Sequence, residues 1–483
     1  MDPIKSEDPR DRRIRELEGL LEKALKRITE LEAEVANLRQ QLAQNSRNSS
    51  RPPSSDGLKK PDAKPKPKSS RKKGRRQSGG QPGHRGETLK RSEHVDHVVR
   101  LEAPARCPCG ESLQDVRSDV VDSRQVHDIP PIPAIEVTEY RLESKTCPCC
   151  QAVAQGTFPE DVKAPVSYGP RLQAVLIYCR TYQLIPIART CELMADFFGV
   201  SVSEGTVVNT VATMDEKVAP SVASIAEELK QASILHSDET GIRIEGKRRW
   251  LHVASNATLT HYDVHDKRGN AAMDDIGILP EFSGRLIHDH WQPYFCYGDC
   301  SHGLCNVHHL RDLVFLHEEL DQHWAAQMHR CLLDMKRAVD GAKAQGQERL
   351  PGGTMEALLR RYQSIVAYGE IEAPPPEPSP VRKRGKPKKG KSRMLLERFR
   401  DRRQEILAFM FDFSVPFGNN QGEQDIRMTK IQQKISGTFR SWAGAKQFCR
   451  IRSYLSSARK QGHQVMQVLL GALRGQPFMP CPA

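Results

Sequence analysis

The stretch that most limits how this chain can fold is Ile234 to Ile244, read with Ser233 as Ser-Ile-Leu-His-Ser-Asp-Glu-Thr-Gly-Ile-Arg-Ile. A short apolar run, Ile234-Leu235, leads into Asp238-Glu239-Thr240, and alternation resumes at Ile242 and Ile244, the pattern of a half-buried strand in a mixed sheet. The pattern places the carboxylate of Asp238 where the strand meets solvent. A second run, Arg285-Leu286-Ile287, ends in His288-Asp289-His290-Trp291 and puts another Asp at a strand terminus. Later, Phe417-Gly418-Asn419-Asn420-Gln421-Gly422-Glu423 opens a helical, basic segment, so a third carboxylate enters from a first helical turn. Taken singly, each acid reads more readily as an ordinary solvated strand-end or first-turn acid. Together, Asp238, Asp289 and Glu423 suit a site for two hard cations roughly 4 Å apart, the arrangement that stabilises the attacking, leaving and non-bridging oxygens of a phosphodiester.

The run Gly418 to Arg427, continued through Lys430, Gln433-Lys434-Ile435-Ser436-Gly437 and Phe439-Arg440-Ser441, resembles the Asn-x-x-Glu block of DDE transposases of the insertion-sequence-sixty-six family. Asp238-Glu239-Thr240 and His288-Asp289-x-Trp291 resemble that family's other two blocks. The resemblance implies an RNase H-like fold, Asp238, Asp289 and Glu423 as catalytic residues and ligands of Mg²⁺ or Mn²⁺, and a polynucleotidyl transferase. Such an enzyme cuts the ends of a mobile element with metal-activated water and joins the freed 3′-hydroxyls to target DNA. It also implies a bacterial, cytoplasmic, nucleoid-associated protein, with accessory proteins of the same element as candidate partners whose need stays open.

At 483 residues the chain has room for two to four domains. Its net charge of +13 favours an acidic polymer, with DNA the first choice. No apolar run approaches the roughly 20 residues of a membrane span, and no secretory signal is visible.

Within residues 1–45, Ile14, Leu17, Leu21, Ala24, Ile28, Leu31, Val35, Leu38 and Leu42 are spaced alternately by three and four. Branched Ile28 and Val35 at one seam position and Leu31 and Leu38 at the other predict a parallel two-stranded coiled coil, hence a homodimer or larger assembly. A single amphipathic helix packing on its own chain is the other reading. Residues 46–95 then read as a flexible basic arm: Pro and Ser alternate with ten Lys and Arg between Lys59 and Arg76, among them Lys72, Lys73, Arg75 and Arg76. Such an arm neutralises phosphates without reading sequence, or serves only as a linker.

Residues 96–165 carry Cys107-Pro-Cys109-Gly and Cys147-Pro-Cys149-Cys150, which predict a small zinc domain with Cys107, Cys109, Cys147 and Cys150 as ligands; the role of Cys149 stays open. Cys107 and Cys109 depart from the usual two-residue gap, so unligated structural thiols remain an alternative. Between the clusters, 116–140 reads as short strands broken at Pro130-Pro131. Residues 166–230 read as a helical subdomain, with a turn at Phe197-Phe198-Gly199 and a cap at Ser201 or Ser203; it is either a helix-turn-helix or a bundle packed on the core.

Residues 231–460 read as the α/β RNase H-like catalytic domain, with strands at 249–253 and 260–264 completing an antiparallel meander. An all-α insertion is expected over about 310–413, with a Pro-rich then Lys-rich loop at 373–392. Residues 461–483 read as a tail. Cys305 and His308, one helical turn apart, resemble a Cys-x-x-His block of related transposases; they read either as metal ligands or loop-positioning groups, or as a core thiol and a surface imidazole. On the segment that begins near Glu423, Arg427, Lys430 and Lys434 share one helical face with that acid and would hold flanking phosphates. Two further readings stay open: a non-catalytic DNA-binding regulator, and an RNase H-like nuclease that cuts without joining.

Overall fold

The computed structural model describes residues 9–43, 91–129, 135–159, 162, 164–376 and 389–481. Lys72, Lys73, Arg75 and Arg76 of the basic arm, and the loop lysines before Lys389, lie outside the described residues. The chain divides into two compact units, one of residues 1–59, 138–196 and 200–483, the other of residues 60–137 and 197–199.

The smaller unit is built from turns and side-chain ties. The Arg91 guanidinium donates to the Ser123 carbonyl at 2.9 Å, and Ser92 and Gln125 exchange backbone-to-side-chain bonds of 2.8 and 3.0 Å. An isolated bridge between Arg106 and Ser112 closes the turn that carries Cys107 and Cys109. The strands expected over 116–140 are absent among the described residues: Val120, Val121 and Val126 are exposed, and no partner ladder forms there. Strand propensity needs cross-strand packing to be realised.

In the larger unit α1 (Pro9–Ala43) forms one long helix. Its Ile14, Leu17, Leu21, Ile28, Leu31, Val35 and Leu38 are all exposed. A short hairpin of β1 (Ser144–Thr146) and β2 (Val153–Gln155) carries Cys147, Cys149 and Cys150 in its loop. Helices α2 (Pro170–Ile177) and α3 (Ile187–Phe198) follow, joined through a π turn at Tyr178–Tyr182. Ser203 caps α4 (Glu204–Lys230), accepting from the Thr206 N–H at 3.1 Å. Val207, Met214, Val218, Ile225 and Leu229 recur along α4 and are fully buried, each such side chain contributing about 1.5–3 kcal/mol. Most of α4's apolar stripe is thus spent on packing.

The sheet comprises β3 (Ile234–Ile244), β4 (Lys247–Ser255), β5 (Thr260–His265), β6 (Arg285–His288) and β7 (Ser301–Leu304), with α5 (Asn270–Ile276) between β5 and β6. Its order is β5-β4-β3-β6-β7, with β3, β4 and β5 an antiparallel meander and β6 and β7 parallel additions. Gly284 permits the approach of β6 to β3, since a Cβ there would lie 2.3 Å from the Ala232 carbonyl oxygen.

Six helices follow: α6 (Asn306–Leu320), α7 (His323–Ala344), α8 (Gly352–Glu372), α9 (Lys391–Asp401), α10 (Arg403–Ile406) and α11 (Ala408–Phe411). Trp324, Met328, Leu332, Met335, Tyr362 and Phe399 fill their shared core. The chain returns to the sheet through α12 (Asn420–Ser436) and α13 (Trp442–Lys460). Ser457 and Ser453 of α13 accept from the Thr260 and Tyr262 N–H groups at 2.9 and 2.8 Å, satisfying two donors of the outermost strand β5. Residues past 460 do not form a tail. Val465–Leu473 is α14, whose apolar residues pack with α2, α4 and α13 through Leu469, Ala472, Met214 and Tyr454.

Candidate active site

Asp238 lies within β3 rather than at its end, because β4 continues to pair with β3 as far as Ile244, with Asp238 opposite Val253. The last β3–β6 pair is His236 with Ile287, so Asp238 and Asp289 each stand two residues beyond it, where the parallel half of the sheet stops. Asp289 follows β6 directly, and His290 after it takes φ +76°, a left-handed turn unusual for a non-glycine residue. The Trp291 N–H donates to Asp289 Oδ1 at 3.0 Å and fixes the carboxylate. Glu423 occupies the first turn of α12, its N–H donating to the Asn419 carbonyl at 3.1 Å.

His308, on the first turn of α6, stands beside Glu423 and interacts with the charges of Asp238 and Asp289. Its Nδ1 lies 3.7 Å from Glu423 Oε1, and neither atom has a hydrogen-bond partner although both are buried. Burial pulls the imidazole pKa down, but the neighbouring Cys305 side chain and the charges of Cys305, Asp289 and Glu423 outweigh it and raise it to about 9. The Asp238 pKa is raised as well, which for an acid favours the neutral form. Burial, then the charges of Glu239 and Asp289, push its carboxyl well above the usual range, against the Glu239 N–H donated at 2.9 Å and the charge of His308. Carboxylates crowded so that one resists ionisation, beside an orphaned Glu423 oxygen, form a donor set fitted to a divalent cation. Ligand atoms of Cys305, His308 and Glu423 also lie within 4.8 Å of one another. Cys305 is buried and His308 is largely so, which sets aside the expectation of a surface imidazole.

Cations surround this cluster. Lys430 is half-buried on α12, where burial lowers its pKa and the Asp238 charge opposes that; Arg427 and Lys434 are exposed. From the inserted helices, Arg398 is held 3.6 Å from Asp312, and the Asp289 charge also acts on it; burial nevertheless lowers its pKa.

Several residues escape sequence reasoning. Asn419 is 1 % exposed and bonds in three directions: Oδ1 to His236 Nδ1 at 2.7 Å, Nδ2 to the Ser237 carbonyl at 2.8 Å, and its N–H to Cys305 Sγ at 3.1 Å. It ties β3, the start of α6 and the turn that carries Glu423. Its place just before a helix was the available signal, since Asn is favoured there. Glu239 is buried, accepting from Arg268 Nε at 2.8 Å and from the Tyr294 hydroxyl at 2.6 Å.

The paired cysteines occupy two local turns. Cys107 accepts from the Gly110 N–H through its carbonyl at 2.8 Å, and Cys147 likewise from Gln151 at 3.0 Å. The backbone near Glu111, then the Cys107 side chain, hold the Cys109 thiol below its usual pKa; backbone bonds from Cys150 and Cys149, then the Cys150 side chain, do so for Cys147.

The fold and this site define a mixed α/β protein with a convergent acidic cluster on a five-stranded sheet. Residues 165–447, more than half of the chain, match the Transposase IS66 family, and the chain belongs to that family. Residues 6–90 match a family of unknown function, DUF6444. No curated protein matches the chain. Membership makes it a transposase-type enzyme whose partner is DNA. Among the described residues, no helix is long and apolar enough to cross a membrane.

Proposed function

We propose that the protein is a DDE transposase that cuts element ends and joins their 3′-hydroxyls to target DNA on an RNase H-like core. The observation that carries this reading is the position of Asp238 and Asp289, each two residues past the last β3–β6 pair, with charges that act on His308, which lies 3.7 Å from Glu423 at the start of α12. Asp238, Asp289 and Glu423 would hold Mg²⁺ or Mn²⁺. Bound there, two such ions supply Lewis-acid charge at the reacting phosphate. The chain's own part is to fix these acids: the Trp291 N–H orients Asp289, the Glu239 N–H orients Asp238, and Asn419 sets the turn that carries Glu423. Lys430, Arg427 and Lys434 would meet phosphates that flank the cut, and the basic arm would add contacts without sequence preference.

The test is metal-dependent cleavage and joining of linear DNA bearing the element's ends, comparing wild type with Asp289→Asn and Glu423→Gln. Loss of both steps with retained DNA binding is expected. Normal strand transfer by Asp289→Asn would refute the assignment, and cleavage without joined products would identify a nuclease instead.

Two further assignments belong to this reading. The exposed apolar stripe of α1 supports a parallel coiled-coil dimer, which suits an enzyme acting on two DNA ends. The lowered thiol pKa values of Cys109 in one turn and Cys147 in the other favour metal ligation at each, tested by the metal content of Cys107→Ser and Cys147→Ser proteins.

A further inference from the structure

One cluster beside the acidic site has no part in holding metal. Arg248 and Trp250 stand on β4, Arg268 follows β5, and Trp291 lies two residues beyond Asp289. The Arg248 guanidinium is 4.7 Å from the Trp250 ring centre, and the Arg268 guanidinium is 5.0 Å from Trp250 and 4.1 Å from Trp291. Cation and aromatic ring therefore alternate through four side chains. Trp250 pairs with Gly241 on β3, where a Cβ would come within 3.3 Å of Arg248 Nε, so the glycine leaves room for the guanidinium across the strand. Arg268 is anchored by Glu239, the neighbour of Asp238, and Trp291 orients Asp289 through its N–H. The ladder begins at the two strand acids and runs outward along the β3–β4 hairpin. Both tryptophans keep partial exposure, the Arg268 side chain is 38 % exposed, and among the described residues no carboxylate pairs with Arg248.

We propose that this ladder seats unpaired DNA nucleotides beside the reacting phosphate, with bases stacking on Trp250 and Trp291 and phosphates meeting Arg248 and Arg268; the inference rests on the transposase reading and names a subsite of it. Every base offers a stacking face when unpaired, so the seat tolerates any sequence, whereas intact duplex keeps those faces stacked on one another. Guanidinium groups between the rings stack equally well and neutralise backbone charge.

The experiment measures binding by full-length protein, with a chelator present, to a labelled duplex carrying a single-stranded thymidine tail and to the same duplex with blunt ends. Wild type is expected to prefer the tailed DNA, and 2-aminopurine placed in the tail to lose fluorescence on binding. Trp250→Leu and Arg248→Gln should each weaken tailed binding by roughly tenfold and leave blunt binding nearly unchanged, while Trp250→Tyr keeps the preference. Equal wild-type affinity for the two DNAs, or a preference that survives both substitutions, overturns the ladder and leaves the transposase reading intact. Tail preference that depends on Trp250 and Arg248, in a protein that never cleaves with metal, supports the ladder and overturns that reading.

Discussion

Asn419 and Gly422 should be coupled, and the sign of one substitution should depend on the other. The Asn419 amide is fixed by bonds of 2.7 Å to His236 and 2.8 Å to the Ser237 carbonyl, and it is 1 % exposed. Asn419→Ala leaves two buried groups without partners, at about 1–3 kcal/mol each. A central value near 4 kcal/mol corresponds to roughly 700-fold faster hydrogen exchange in the first turn of α12, where the Glu423 N–H bonds the Asn419 carbonyl. A Cβ on Gly422 would meet Asn419 Oδ1 at 3.0 Å and Nδ2 at 3.1 Å. Because two hydrogen bonds hold that amide, it cannot swing aside, and Gly422→Ala should cost about 1–2 kcal/mol in the wild-type background. With Asn419→Ala the obstruction is gone, and the same change should stabilise the helix by about 0.5–1 kcal/mol. The assay is exchange mass spectrometry on all four proteins without metal. Effects that add within about 0.5 kcal/mol would refute the reasoning, since uncoupled sites behave that way.

Three other outcomes are expected. Asp238 has its folded pKa raised, so the native state binds the extra proton and wild-type stability falls as pH rises above the unfolded value of about 3.9. Asp238→Asn should therefore melt higher than wild type at neutral pH without metal, with the gap closing in acid and no further rise on adding Mg²⁺. His308, raised to about 9, contributes stability that is complete below its unfolded pKa near 6.5 and lost as pH rises through about 9. Burial opposes that shift and Cys305 supports it, so Cys305→Ser should bring the imidazole titration down when followed by NMR. Leu31→Lys in the exposed stripe of α1 should halve the mass found by light scattering, and an unchanged mass would refute the coiled coil.

The three acids were legible in sequence because each lies beside a short local pattern: alternation around Asp238, an apolar run before Asp289, a helix start at Glu423. The extent of β3 was not, since its length is set by β4, which stays paired after β6 has stopped. Cys305 and His308 were visible as a pair one turn apart, but nothing local indicated that Glu423 would join them. Asn419 and His236 meet across 183 residues, and Arg398 reaches the neighbourhood of Asp289 from the inserted helices; such contacts leave no periodic trace. Helix α14 is a different case. Its nearly continuous apolar run, Val465–Leu473, carries the composition of a buried helix, and its position near the end of the chain disguised that.

The serine pair on α13 has a consequence for synthesis. Ser457 and Thr260 are 197 residues apart, so at about 5–20 residues per second the ribosome needs roughly 10–40 s after making β5 before its amides are covered. Through that interval the nascent sheet presents a bare edge to neighbouring chains, including copies on the same polysome. Slow decoding between the sheet and α13 should thus lower soluble yield, and a product cut short before Trp442 should be an aggregation hazard.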